Sequence, residues 1–320
     1  MIELHVHLDG SVRPSTIWEL ALEKEGRAPV ADKEALTALM RAPVPCSSLS
    51  EYLTRFELPL QYLQNREGLE RVAYELVEDL AEEGVTYAEI RFAPQLSTQE
   101  GLSQREVTEA VMAGVKRGMR AYPSIRIGLL LCCMRGVGEE ALHKNLETIE
   151  TAAVLKDGRL VCGIDLAGAE EVYKTDLFGS LFEVADPYGL KRTIHAGEAS
   201  GPESIWKALD MGASRIGHGI AAIRDEALIK ELVKRRIALE VCITSNVQTK
   251  GVPSLASHPI RRLYDAGVHV TLNTDNRTVS DTTLSKEREL AKRTFGFTDK
   301  DLEVMDQYAA EAAFLSVSDF

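Results

Sequence analysis

The sequence predicts an α/β fold, a (β/α)8 or TIM barrel with a helical insertion after strand 1, and three observations carry that expectation. Short apolar, β-branched runs recur eight times, and helical periodicity fills most of the gaps between them. Polar residues that strand interiors should exclude also collect at the carboxyl ends of several runs, the end where barrels place their active sites. The chain has 320 residues, 45% apolar and 27% charged, which is the balance of a globular chain with a sizeable core.

The runs come in order. Strand one is IELHVHL at 2–8, strand two VTYAEIRFA at 85–93, strand three IRIGLLLCC at 125–133 and strand four VCGIDLA at 161–167. LKRTIHA at 190–196, SRIGHG at 214–219, IALEVCI at 237–243 and VHVTLNT at 268–274 complete the set. REVTEAVMAGVKRGMRAY at 105–122 and EALIKELVKRR at 226–236 read as crossover helices, and the last helices, 298–316, as the closure of the barrel. One connection is long: residues 9–84 hold three or four helical stretches, including 49–63 and 67–84, and so form either a lid over the mouth or a stabilising cap. No repeat or linker interrupts the chain, so 1–320 is expected to form a single domain.

Composition narrows the function. With 49 acidic against 37 basic residues the net charge is −12, which disfavours a partner such as nucleic acid that needs a basic face. No apolar run is long enough for a membrane span and no leader pattern opens the chain, so a cytoplasmic protein is expected. The five cysteines, Cys46, Cys132, Cys133, Cys162 and Cys242, form no CxxC pair and read as buried, reduced thiols. Cys132 and Cys133 should point to opposite faces of strand three.

Histidine is scarce, seven in the chain, yet four sit at strand termini. His5 and His7 are two apart on strand one and so share a face. Strand five ends at His195, strand six at His218, and strand eight at Asp275. Two imidazoles from one strand, a third from strand five and the Asp275 carboxylate can therefore meet around one divalent ion, with zinc favoured by N/O ligands and an open position for water. Glu198, three residues after His195, is either a surface carboxylate or a desolvated proton donor. His218 is placed to orient a metal-bound water or accept its proton. Asp165 on strand four needs a polar partner, a ligand histidine or a plain structural one. His143 and His269 read as structural, and His258, before Pro259, as a helix cap or a group supporting the site.

Together the motifs HVHLDG (5–10), LLCCMR (130–135), GIDLAGAE (163–170), HAGE (195–198), RIGHG (215–219) and LNTD (272–275) resemble the adenosine deaminase family of the amidohydrolase superfamily. The resemblance implies one zinc per chain held by His5, His7, His195 and Asp275, with Glu198, His218 and Asp275 as the catalytic set. It further implies that Asp9 binds the ribose 5′-hydroxyl, that the Gly168 backbone N–H meets purine N3, and that Leu49, Tyr52, Leu53 and Phe56 form a hydrophobic lid. The implied reaction is hydrolytic deamination of adenosine and 2′-deoxyadenosine, with zinc-activated water attacking C6 and Glu198 protonating N1. The implied partner is a small-molecule purine nucleoside, handled by a monomer or weak homo-oligomer.

Many family members read Asp-Asp-Pro where this chain has Asp275, Asn276 and Arg277. Purine N7 is an acceptor, and the Asn276 amide donates to it without needing to be protonated. Arg277 is either solvated or brings positive charge to the mouth. The alternatives are a deaminase of another 6-aminopurine, such as adenine or a 5′-modified nucleoside like aminofutalosine, and an inert binding protein on the same barrel. The carboxylate of Asp9 disfavours a 5′-phosphate. A binuclear hydrolase would want a lysine at the end of strand four, which reads DLAG.

Overall fold

The computed structural model describes residues 1–156 and 160–316. All eight expected strands form: β1 Ile2–His7, β2 Tyr87–Phe92, β3 Arg126–Met134, β4 Val161–Ala167, β5 Lys191–Ala196, β6 Arg215–His218, β7 Ala238–Val241 and β8 His269–Leu272. They pair in chain order, every pair parallel, as right-handed crossovers through helices require. The result is a nearly closed (β/α)8 barrel. At the seam, β8 stops at Leu272 and the chain then bridges to β1: His7 N–H donates to Asp275 O at 2.7 Å and Asp275 N–H to His5 O at 2.9 Å. Side chains sew the rest of the seam, with Asn273 Oδ1 accepting from Leu4 N and Glu3 Oε1 from Thr274 N, each at 2.8 Å.

Several crossover helices begin where side-chain acceptors satisfy their orphan amides. α6 (Gln104–Ala121) opens on a capping box in which Ser103 and Glu106 exchange hydrogen bonds, and α10 (Glu226–Arg235) opens on Asp225, which accepts from Ala227 N and Leu228 N. α5 (Arg66–Glu82) lies so close to α6 that a Cβ on Gly114 would stand 2.1 Å from Glu70 O. The final helix, α14 (Asp299–Ala312), packs over β8 and β1 at the seam. None of the described helices is long and apolar enough to cross a membrane.

The stretch 49–63 is one helix by periodicity but three pieces in the structure: α3 (Leu49–Leu53), a 3-10 turn at 54–56 and α4 (Glu57–Tyr62). Pro59 explains the break. It has no N–H to donate, so it is tolerated only in the first turn of a helix, and the chain restarts at Glu57 to place it there. The cysteines are all free. Cys132 faces the pocket while Cys133 turns outward to Asn145 O, and Cys162 is half-buried rather than buried, because its position near the start of β4 is only partly covered.

Below the mouth the barrel interior departs from the usual apolar layers. Glu89, Arg91, Asp165, Arg215 and Glu240 are all fully buried and form one ionic stack. Arg215 pairs with Glu89 and, through Nε, with Glu240 Oε1 at 2.6 Å. Arg91 spans Glu240 Oε2 at 2.8 Å and Asp165 Oδ2 at 2.9 Å. The guanidinium of Arg215 also lies 3.6 Å from the centre of the Phe314 ring.

Candidate active site

The top of this stack is the floor of the site. His5 Nδ1 meets Glu240 Oε2 at 2.9 Å, and His195 Nδ1 meets Asp165 Oδ2 at 3.0 Å. Carboxylates behind both rings draw the imidazole protons to Nδ1 and leave the Nε2 lone pairs facing inward. There His5 Nε2 stands 3.3 Å and His7 Nε2 3.4 Å from Asp275 Oδ1, and His7 Nε2 is 3.2 Å from His195 Nε2. His5 Nε2 is buried and has no well-aligned hydrogen-bond partner. One ligand atom each from His5, His195, His218 and Asp275 falls within 4.8 Å of the others. A buried His/His/His/Asp cluster with inward lone pairs suits a divalent metal ion.

Electrostatics at His5, His7 and Asp275 agree with that donor set, while at His195 burial lowers the imidazole but the Asp165 carboxylate outweighs it and leaves the value raised. Burial, helped by Arg91, pulls His5 down to about 4, and burial pulls His7 well below the ordinary imidazole value. Both rings are therefore neutral and able to donate lone pairs. Burial raises the Asp275 carboxyl, but its contact with His5 and the surrounding imidazoles outweigh this and hold it well below the usual range. The backbone is held in an uncommon form at two of these residues: His218 has φ of 61° and Asp275 of 63°, the left-handed region that non-glycine residues rarely enter.

Glu198 lies on the loop after β5. Its Oε1 is buried without a partner and its Oε2 is 3.5 Å from His218 Nε2. Burial raises its pKa, with His218 opposing and Asp275 adding to the shift. The loop itself is held by a residue to which the motif reading assigned no role. The Glu170 carboxylate accepts from four successive backbone amides, Gly197 N at 2.7 Å, Glu198 N at 3.0 Å, Ala199 N at 2.7 Å and Ser200 N at 3.1 Å. The available signal was its place as the final residue of GIDLAGAE.

The pocket above the cluster is lined by Asp9, Gly168 and Asn276 and roofed by Leu49, Tyr52, Leu53 and Phe56. Asp9 Oδ1 and Asn276 Oδ1 are buried without partners, and burial lifts the Asp9 carboxyl to about 6. Gly168 has φ of 109°, which a side chain would make strained, and a Cβ on Gly10 would overlap Asn276 Oδ1 at 1.8 Å. Arg277 is neither solvated nor at the mouth. It turns away from the pocket to Glu83 Oε2 at 2.7 Å, with both side chains about a tenth exposed, so its charge is met by that carboxylate. His143 lies on α7 (Glu139–Leu155), and His269 stacks on Tyr308 with ring centres 4.0 Å apart, both away from the site.

Tyr52 ties the roof to the loop after β8 through a 2.7 Å hydrogen bond between its hydroxyl and Ser280 Oγ. Tyr52→Phe is expected to destabilise by about 1 kcal/mol, the net worth of one hydrogen bond, through a looser roof. Thermal unfolding together with protease cleavage within 41–65 would read it, and unchanged values for both would show that the bond carries no closure.

A parallel eight-stranded barrel that gathers imidazoles and a carboxylate at its carboxyl end defines a barrel hydrolase with a site suited to a metal ion. The family model described as Adenosine deaminase matches residues 1–319. The chain belongs to the adenosine deaminase family and is a hydrolytic deaminase. It is 43% identical to an adenosine deaminase of Haemophilus ducreyi, a match covering 100% of this chain and 93% of the relative. Among solved structures, adenine deaminase from Arthrobacter aurescens superposes with a TM-score of 0.88 at 26% identity, covering 99% of this chain and 94% of its own. The N6-mAMP deaminase of Arabidopsis superposes at 0.84 with 32% identity, covering the same shares.

Proposed function

We propose that the protein deaminates adenosine and 2′-deoxyadenosine hydrolytically, giving inosine or 2′-deoxyinosine and ammonia, with one zinc ion held by His5, His7, His195 and Asp275. The observation that carries this reading is the buried Glu198 carboxyl, whose Oε1 has no partner and whose Oε2 faces His218 beside the imidazole cluster. Zinc bound there supplies a water acidic enough to be deprotonated near neutral pH. Glu198, its pKa raised, holds a proton for purine N1, and protonation at N1 weakens the ring's resistance to attack at C6. His218 faces the incoming water. Asp9 offers its unpartnered Oδ1 to the 5′-hydroxyl, Gly168 its backbone N–H to N3, and Asn276 its amide to N7. Leu49, Tyr52, Leu53 and Phe56 exclude bulk water from the reacting carbon.

The second reading is another 6-aminopurine, free adenine or a nucleotide, suggested by the names of the two structural neighbours. A 5′-phosphate fits poorly. Among the described lining residues Arg135 is the one Lys or Arg, and its guanidinium is engaged by Tyr173 O at 2.7 Å, Thr175 Oγ1 at 2.9 Å and His195 O at 2.6 Å. The test is a deamination assay over adenosine, 2′-deoxyadenosine, adenine, AMP and 5′-blocked adenosine. Expected is turnover of the two nucleosides above the rest, with Asp9→Ala lowering kcat/KM for adenosine about 10–100-fold through the lost hydroxyl contact and leaving adenine unaffected. AMP or adenine as the best substrate would overturn the nucleoside assignment. The same reading places the enzyme in the cytoplasm as a monomer or weak homo-oligomer, the latter checked by light scattering of the purified protein.

A further inference from the structure

Behind His218, on the side away from the pocket, a chain of hydrogen bonds runs in a direction that one main-chain donor decides. The backbone N–H of Ile260, at the start of α12 (Ile260–Asp265), can only donate, and it lies 3.2 Å from His258 Nδ1. His258 Nδ1 is therefore an acceptor. The ring is buried, and burial, reinforced by His218, pulls it down to about 3, so it stays neutral with its single proton on Nε2. That Nε2 lies 3.3 Å from Asn246 Oδ1. An N–H facing the amide settles which end is oxygen, so the other end, Nδ2, points its hydrogens toward His218 Nδ1 at 3.0 Å. His218 Nδ1 must then accept, so the ring hydrogen sits on Nε2, the nitrogen that faces Glu198 and the pocket. Asn246, on α11 (Ile243–Gln248), is fully buried, so both ends of its amide are shielded from bulk solvent.

We infer that Asn246 and His258 are positioning residues that lock His218 in the Nε2–H tautomer, so that this imidazole meets the oxygen attacking C6 as a hydrogen-bond donor and not as a general base. The inference rests on the deaminase reading of the site for its catalytic half only; the tautomer is a property of the resting protein. With Nδ1 accepting from Asn246 and the ring hydrogen on Nε2, His218 turns no lone pair toward the pocket and cannot take the water's proton. It orients the oxygen and offsets the negative charge that develops there.

The direct test is a long-range 1H–15N correlation spectrum of the zinc-loaded protein labelled with 15N-histidine, with the signals assigned by their loss in His218→Asn and His258→Asn. Expected are unprotonated Nδ1 and protonated Nε2 for both rings; a proton on Nδ1 of His218, with or without one on Nε2, overturns the inference. Asn246→Asp supplies the second arm. A carboxylate there accepts from both rings and so moves the His218 proton to Nδ1. With zinc content and melting temperature retained, kcat on adenosine is expected to fall about 100-fold and KM to change less than about threefold. A switched tautomer with kcat within about threefold of the parent would show that the lock has no catalytic role. If Asn246→Asp does not fold, the spectrum of the unsubstituted protein still decides the tautomer. Failure of that protein to deaminate any nucleoside would sink the substrate reading and leave the spectral result standing.

Discussion

Glu198→Gln is expected to lower kcat by about 10²–10⁴-fold, the range associated with a positioned proton donor, while zinc content, fold and KM stay close to those of the parent. The amide keeps the shape of the carboxyl and the loop keeps its anchor, since Glu170 binds backbone amides and not the Glu198 side chain. What disappears is a transferable proton on a group whose burial raises its pKa. Steady-state kinetics on adenosine, with metal analysis of the same sample, reads the effect. Near-normal turnover by a zinc-replete Glu198→Gln protein would remove Glu198 from the proton-transfer role.

Arg91→Met is expected to have the largest effect on stability and to reach the metal site without touching it. The substitution fills the volume but leaves Glu240 and Asp165 facing each other in the barrel interior without the cation between them. Removing one partner of a fully buried pair costs about 3–5 kcal/mol, a large share of the ~5–15 kcal/mol that holds a domain folded. The two carboxylates also orient His5 and His195 from behind, so their protonation or displacement should weaken metal binding about 10–100-fold. Urea unfolding of the metal-free protein and a zinc competition titration measure the two consequences separately. Parent-like values in both would mean that the interior charges are balanced by something other than Arg91.

The residues of the cluster are recognisable from the sequence because they lie toward the carboxyl ends of strand runs, His5 and His7 sharing the first, and barrel topology sends those ends to one place. Asp165 is also foreseeable as a polar residue in an apolar strand that needs a partner, and it pairs with both His195 and Arg91. His258 had two candidate readings, and both describe it: its Nδ1 accepts the first amide of α12 and its Nε2 reaches Asn246. Arg91, Arg215 and Glu240 were not singled out. Arg91 and Glu240 alternate with apolar neighbours in their strands and Arg215 opens its own, the pattern of a strand with one solvated face, and only the closed barrel turns that face into an interior.

Local order, the eight strands, the crossover helices and the set of polar residues at strand ends were determined by the sequence itself, because periodicity and strand propensity act over a few neighbouring residues. The tertiary structure decided the partners. The contact of Arg91 with Glu240 joins residues 149 apart, Arg277 found Glu83 194 residues away, and Glu170 reached forward to the amides after His195. A charged side chain carries no mark of which opposite charge it will meet. That choice is made when burial removes water and leaves each buried polar group only the partners that the closed barrel brings within reach.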